Sequence, residues 1–232
     1  MIINHTEILK NTLPATSTAV VKIVIGYPFE TIKTREQLGL SYNFNLKKLY
    51  KGCHIQLIAS IIKRTVIFYN YEKYNKKYNS FIASGYSSII ASIISNPLNI
   101  IRVNIQSNRY VNVKQQLKLN ILTKGNKINI LRDILFSTYY LGMYGNLKKQ
   151  LPDKPIYHSF SSIFSGTTVW ILFMPFDNIR THIYNDKSYQ YLYHYFKKDP
   201  IHLWKGSGVM ILKAFPVNLV NMMLYEYLRK SI

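Results

Sequence analysis

One cysteine, Cys53, serves the whole chain, so no intramolecular disulfide can form and no thiolate pair is on hand for a metal. Acidic residues are scarce too: ten Asp and Glu stand against thirty Lys and Arg, a formal charge of +20. That balance predicts anionic partners, whether nucleic acid, lipid headgroups, or a phosphorylated or carboxylated solute, with a merely solvated basic face as the plain alternative. The six His show no HExxH spacing, and no GxSxG elbow occurs. None of the Lys-Gly words carries the preceding glycine that a P-loop needs, so enzyme classes built on these motifs have no foothold. The opening MIINHTEILKNTLPATS lacks the basic start and apolar run of a secretory signal and the Arg and Ser richness of a transit peptide. Any organelle address is therefore expected to be internal.

Mean hydropathy is low for a chain embedded in lipid, at -0.04, but the placement of the charges matters more. Residues 81 to 101 hold no charged side chain, and residues 155 to 176 hold none beyond the titratable His158. Each stretch can cross the roughly 30 Å of a hydrocarbon core at ~1.5 Å per residue. Four more apolar stretches, 15 to 32, 52 to 71, 128 to 147 and 207 to 225, carry only isolated charges such as Lys22, Lys63, Arg64, Arg132, Asp133 and Lys213. A charge at the bilayer centre costs about 3 kcal/mol even on the mildest scale, so these residues are expected to face a wet cavity or a partner. Ser84, Ser88 and Ser92, and Ser161 and Ser165, recur at helical spacing and suit close helix approach.

An internal repeat is the strongest signal. YPFETIKTREQ, NPLNIIRVNIQ and MPFDNIRTHIY superimpose without gaps on Pro28, Pro97 and Pro175. A second word follows each: LYKG ending at Gly52, LTKG at Gly125 and LWKG at Gly206. Between the words lie stretches that mix aromatic and basic residues, as interfacial helices do. A nucleic-acid surface has a similar composition, but three copies in phase with membrane-length spans favour the membrane.

These words resemble the signature of the mitochondrial carrier family over essentially the whole chain. The resemblance implies an all-α membrane protein: six transmembrane helices in three pseudo-threefold repeats, with short amphipathic helices on the matrix side. It implies one carrier domain, residues 1–232, with repeats at about 10–77, 78–150 and 151–232, no enzymatic activity, and a multi-pass place in the mitochondrial inner membrane. Enrichment in Asn, Ile, Lys and Tyr suggests an AT-rich genome, which extends the expectation to a viral source and a host mitochondrion. A monomer is expected, with an anionic small molecule as partner, no nucleic acid, no cofactor, and structural cardiolipin.

Residue by residue, the family pattern makes Glu30 with Arg102 and Asp177 with Lys33 ion pairs of a matrix-side gate. At the third position Asn99 faces Arg180 where the family has an acid. Gln37 and Gln106 stand where a glutamine braces such a pair, and Tyr184 replaces the third. The cytosolic gate maps onto Tyr71, Glu72, Tyr144, Lys148, Tyr225, Glu226 and Arg229, with Gly145 in place of one acid and Glu72 with Lys148 as the complete pair. Lys51 with Gly52, Lys124 with Gly125 and Lys205 with Gly206 open helices, whose free N–H groups attract phosphate; in the family these places hold cardiolipin.

Seven residues after those glycines come Ala59, Arg132 and Lys213, which match the family's substrate contact points. With Lys63, Arg64 and Lys22 they form a cationic cluster suited to an anion, and nucleotides, including deoxynucleotides, are the expected cargo. The word Arg132-Asp133 points instead to amino acids or other carboxylates, and remains the alternative.

Overall fold

A computed structural model describes residues 5–41, 44–75, 78, 80–108, 123–152 and 155–231, and these contain helices and no strand. The helices are α1 (His5–Gln37), α2 (Leu46–Leu49), α3 (Cys53–Asn75), α4 (Ser80–Gln106), α5 (Asn126–Gln150), α6 (Pro155–Tyr184), α7 (Tyr189–Lys198) and α8 (Ser207–Ser231), with a 3₁₀ turn at Pro200–Trp204 before α8. The expected all-α class holds.

Local sequence explains where the helices start and stop. Asn45 accepts from the Lys47 N–H at the start of α2, Ser188 from the Tyr191 N–H at the start of α7, and Asp199 from the Ile201 N–H at the 3₁₀ turn. α1, α4 and α6 each end on a left-handed residue at the same distance past its proline: Gly39, Asn108 and Asp186, with φ of 67°, 58° and 72°. In α1 the Leu40 N–H reaches the Arg35 carbonyl and the Gly39 N–H reaches the Glu36 carbonyl, the pairing that closes a helix end around such a residue.

The six long helices close into a ring: α1 packs on α3, α3 on α4, α4 on α5, α5 on α6, α6 on α8, and α8 back on α1. α1, α4 and α6 also touch one another across the ring. These are the helices that contain Pro28, Pro97 and Pro175. A proline inside a helix removes one backbone hydrogen bond and favours a bend, which suits convergence at one end.

Side chains are sorted in the reverse of a water-soluble bundle. Ser87, Ser92, Ser95, Asn129, Asp177, Ser161 and Ser165 are fully buried, while Ile61, Phe160, Leu212, Phe215 and Leu219 are more than half exposed. An apolar outside around a polar inside fits a surface that meets lipid. Among the described residues, two stretches can cross a membrane by length and hydropathy alone, Tyr86–Gln106 and Ile156–Tyr184. The other four expected spans lie in long helices whose mean hydropathy is lowered by charged residues. Of the amphipathic helices, α7 buries Leu192 and Phe196 against Ile183 and exposes Tyr189, Tyr191 and Tyr193. The corresponding stretch of the middle repeat lies outside the described residues.

Candidate functional site

Where α1, α4 and α6 meet, the side chains of the proline words interlock. Arg102 donates to Glu30 at 2.9 Å, from α4 to α1. Lys33 donates to Asp177, from α1 to α6. The third position behaves differently because Asn99 offers no charge. Arg180 turns back within α6 onto Asp177 at 2.5 Å and donates to Asn129 at 3.1 Å.

The flanking residues follow the expected register only in part. Gln37 reaches Asp177 at 3.3 Å and so touches the Lys33 pair. Gln106 donates to the Thr31 hydroxyl at 3.1 Å instead of bracing an ion pair, because Arg102 already takes Gln56 at 2.5 Å as its second acceptor. Tyr184 donates to Asn96 at 2.5 Å.

Above this layer lies a cavity of about 150 Å³ lined by Glu30, Lys33, Ala59, Lys63, Asn99, Arg102, Arg132, Asp133, Trp170 and Arg180, among others. Asp133 is buried and accepts from Lys63 at 2.5 Å, Ser92 at 2.6 Å and Arg132 at 2.8 Å. The Arg132 guanidinium stacks 3.8 Å from the centre of the Phe136 ring, and its Nε lies 3.3 Å from Asp177. Lys213 reaches Glu30 at 2.5 Å. Six cations thus share three carboxylates: Glu30 holds Arg102 and Lys213, Asp133 holds Lys63 and Arg132, and Asp177 holds Lys33, Arg180 and again Arg132.

Three members of the expected cationic cluster do not line the cavity: Lys213 is held beside it by Glu30, and two others are placed elsewhere. Arg64 is exposed, and neither it nor half-buried Lys22 lines the cavity. Consecutive residues on a helix point about 100° apart, and here Lys63 takes the inward direction while Arg64 faces out. Lys22 sits two turns before Glu30 on α1, away from the cavity floor.

The opposite end is less fully described. Tyr144 stacks on Tyr140 with ring centres 6.1 Å apart, and Lys148 is exposed. The side chains of Tyr71, Glu72, Tyr225, Glu226 and Arg229 lie outside the described part of the structure. Around the Lys-Gly words, Lys51 donates to Asn108 at 2.9 Å and Lys124 pairs with Asp186. Lys205 is half-buried, with no ion pair among the described residues.

The sequence reading missed Gln56 and Asn129, which accept from Arg102 and Arg180. A signal was present: Gln56, Asn129 and Met210 each lie four residues past a Lys-Gly glycine. Trp170, 5.5 Å from both the Lys33 ammonium and the Arg132 guanidinium, had no such mark.

The family model for mitochondrial carrier protein matches residues 152–232. The mitochondrial 2-oxodicarboxylate carrier of Bos taurus is 25% identical over 95% of this chain and 93% of its own length. Mitochondrial ornithine transporter 1 of Schizosaccharomyces pombe is 23% identical over 90% of this chain and 88% of its own. These matches support a place for the chain among the mitochondrial carriers.

The relatives that match most of the chain are themselves named as mitochondrial carriers or transporters, not as enzymes. Another related carrier, the electrogenic aspartate/glutamate antiporter of Mus musculus, is 27% identical over 88% of this chain and 38% of its own length. None of these relatives is named for a nucleotide or comes from a virus, so the expected nucleotide cargo, viral source and host mitochondrion gain no support.

Proposed function

We propose that this carrier moves small dicarboxylates across the mitochondrial inner membrane by alternating access between two gates. The observation that carries the reading is the lining of one cavity by five cations, Lys33, Lys63, Arg102, Arg132 and Arg180, and two carboxylates, Glu30 and Asp133, which leaves an excess of positive charge for a ligand to neutralise. Size agrees: larger ligands occupy pockets of roughly 300–1,000 Å³, and this cavity of about 150 Å³ suits a short-chain acid better than a nucleotide. Among the described residues every carboxylate at the cavity is already engaged by cations, which leaves none for the ammonium of an amino acid. That favours dicarboxylates over amino acids, the other cargo its relatives are named for.

In this reading the six long helices cross the membrane as three repeats, about 10–77, 78–150 and 151–232, of a monomer. Glu30, Lys33, Arg102, Asp177 and Arg180 close the matrix side. The cytosolic gate, whose complete pair is Glu72 with Lys148 and to which Glu226 and Arg229 belong, is weak because an acid is missing at Gly145; an unchanged transport rate in both Glu72→Ala and Glu226→Ala would refute it. Cardiolipin binds at the Lys-Gly corners. The deciding test is uptake of labelled 2-oxoglutarate, aspartate, ornithine and ATP into liposomes. Saturable 2-oxoglutarate uptake, lost in Arg132→Ala, supports the reading, whereas uptake of ATP alone overturns it.

A further inference from the structure

Two of the three positions in the closed ring pair a cation with an acid, and at the third neutral Asn99 on α4 stands where the repeat pattern would give Arg180 on α6 an acid. Arg180 is 5% exposed, and its charge is met only by turning back onto Asp177, which already holds Lys33 and lies 3.3 Å from Arg132. Three cations on one wholly buried carboxylate is a poor balance in a medium of low dielectric. The shortfall has a second mark. The Nε–H groups of Arg102 and Arg180 are buried without a hydrogen-bond partner among the described residues, although both arginines line the same cavity as Asn99. A buried guanidinium N–H left unmade is costly and points to an acceptor that the chain does not supply.

We propose that the substrate supplies the missing carboxylate: one carboxylate of the dicarboxylic cargo lodges between Asn99 and Arg180 and completes the third pair of the ring. This rests on the dicarboxylate reading and places one end of the cargo. Asn99 suits the task because its amide N–H₂ donates to a carboxylate that an aspartate at the same place would repel. A guanidinium meets a carboxylate in a planar fork, so Arg180 has the shape as well as the charge. The second carboxylate falls to Arg132 and Lys213, which line or adjoin the cavity one layer above. Once Arg180 turns to the cargo, Asp177 keeps fewer cations, and the ties that cross the ring through it are redistributed. The cargo thereby contacts the loaded and empty rings differently, which is what lets a ligand bias a gate.

The experiment uses the full-length carrier, purified in detergent for thermal unfolding and reconstituted for uptake, with 2-oxoglutarate as the probe. Asn99→Asp builds the acid into the ring. Its melting temperature without ligand should rise, the upward shift given by 2-oxoglutarate in the wild type should vanish, and uptake should fall at least tenfold. Asn99→Ala, which removes only the amide donor, should raise KM about tenfold, the size of one charge-assisted hydrogen bond. A role for Asn99 in packing alone would leave the ligand-induced shift of Asn99→Asp intact, and that result overturns the proposal. If Asn99→Asp does not fold, an unchanged KM in Asn99→Ala overturns it equally. Failure of the dicarboxylate reading looks different: the wild type itself would neither take up 2-oxoglutarate nor be stabilised by it.

Discussion

Lys213 on α8 donates to Glu30 on α1 at 2.5 Å, so a cation at a proposed cargo-contact position is held by a carboxylate of the closed ring. Cargo that takes Lys213 must draw it from Glu30, which leaves Glu30 to Arg102. Lys213→Ala is expected to lower 2-oxoglutarate uptake by about tenfold or more, since a charge-assisted contact is lost. Lys213→Arg, which keeps the charge, should retain a measurable part of it. Equal uptake by Lys213→Ala and the wild type would reduce this residue to a structural tie.

The two ring carboxylates should differ in what they contribute to stability. Asp177 has no exposure and meets three cations, whereas the Glu30 side chain is 21% exposed and meets two. Removing one partner of a buried pair costs about 3–5 kcal/mol because the other charge is stranded. Asp177→Asn strands more charge in a drier place than Glu30→Gln does. Thermal unfolding in detergent should therefore place Asp177→Asn several degrees below Glu30→Gln, and the reverse order would contradict this view of the ring.

Much of this arrangement is legible in the sequence because the repeat fixes register. Pro28, Pro97 and Pro175 set where Glu30, Lys33, Arg102, Asp177 and Arg180 fall, and helical geometry does the rest. What the sequence hides is direction and occupancy. Lys63 and Arg64 read alike, yet only Lys63 faces inward. Lys63, Arg132 and Lys213 look like free cations on paper, but Asp133 and Glu30 engage them, and that engagement turns the reading away from polyanionic cargo. Asn108 and Asp186 could not be recognised as partners of Lys51 and Lys124, because that contact joins the end of one repeat's proline helix to the connector of the repeat before it.

Glycine at 206 is required twice over. Its φ is +88°, and a Cβ there would meet the Lys33 Cγ at 2.9 Å and the Lys33 carbonyl at 3.4 Å. Gly39 also has a positive φ, +67°, but a Cβ there meets nothing within 4 Å. Gly206→Ala should destabilise by both strain and a push on a ring residue, and Gly39→Ala by strain alone, about 1 kcal/mol. Gly39→Asn should be milder still, since Asn108 holds the equivalent conformation. Melting temperatures in the order Gly39→Asn, Gly39→Ala, Gly206→Ala, highest first, are expected, and Gly206→Ala matching Gly39→Ala would show that the close approach to Lys33 is slack.

The three Lys-Gly corners, proposed as cardiolipin sites, should not bind alike. Lys51 is tied to Asn108 and Lys124 to Asp186, while the residue in the corresponding place for Lys205 is Gly39, which has no side chain to offer. An anion arriving at the first two corners must compete with a protein partner; at the third it meets an ammonium with no ion pair among the described residues, beside the first N–H groups of α8. Cardiolipin added to the purified carrier should raise its melting temperature, and Lys205→Ala should remove more of that rise than Lys51→Ala or Lys124→Ala. Gly39→Asp should act in the same direction as Lys205→Ala by giving Lys205 a partner of its own, without loss of stability in the absence of lipid. A cardiolipin response reduced equally by all three lysine variants would mean that the ties at Lys51 and Lys124 yield to lipid, and that the difference between the corners does not govern binding.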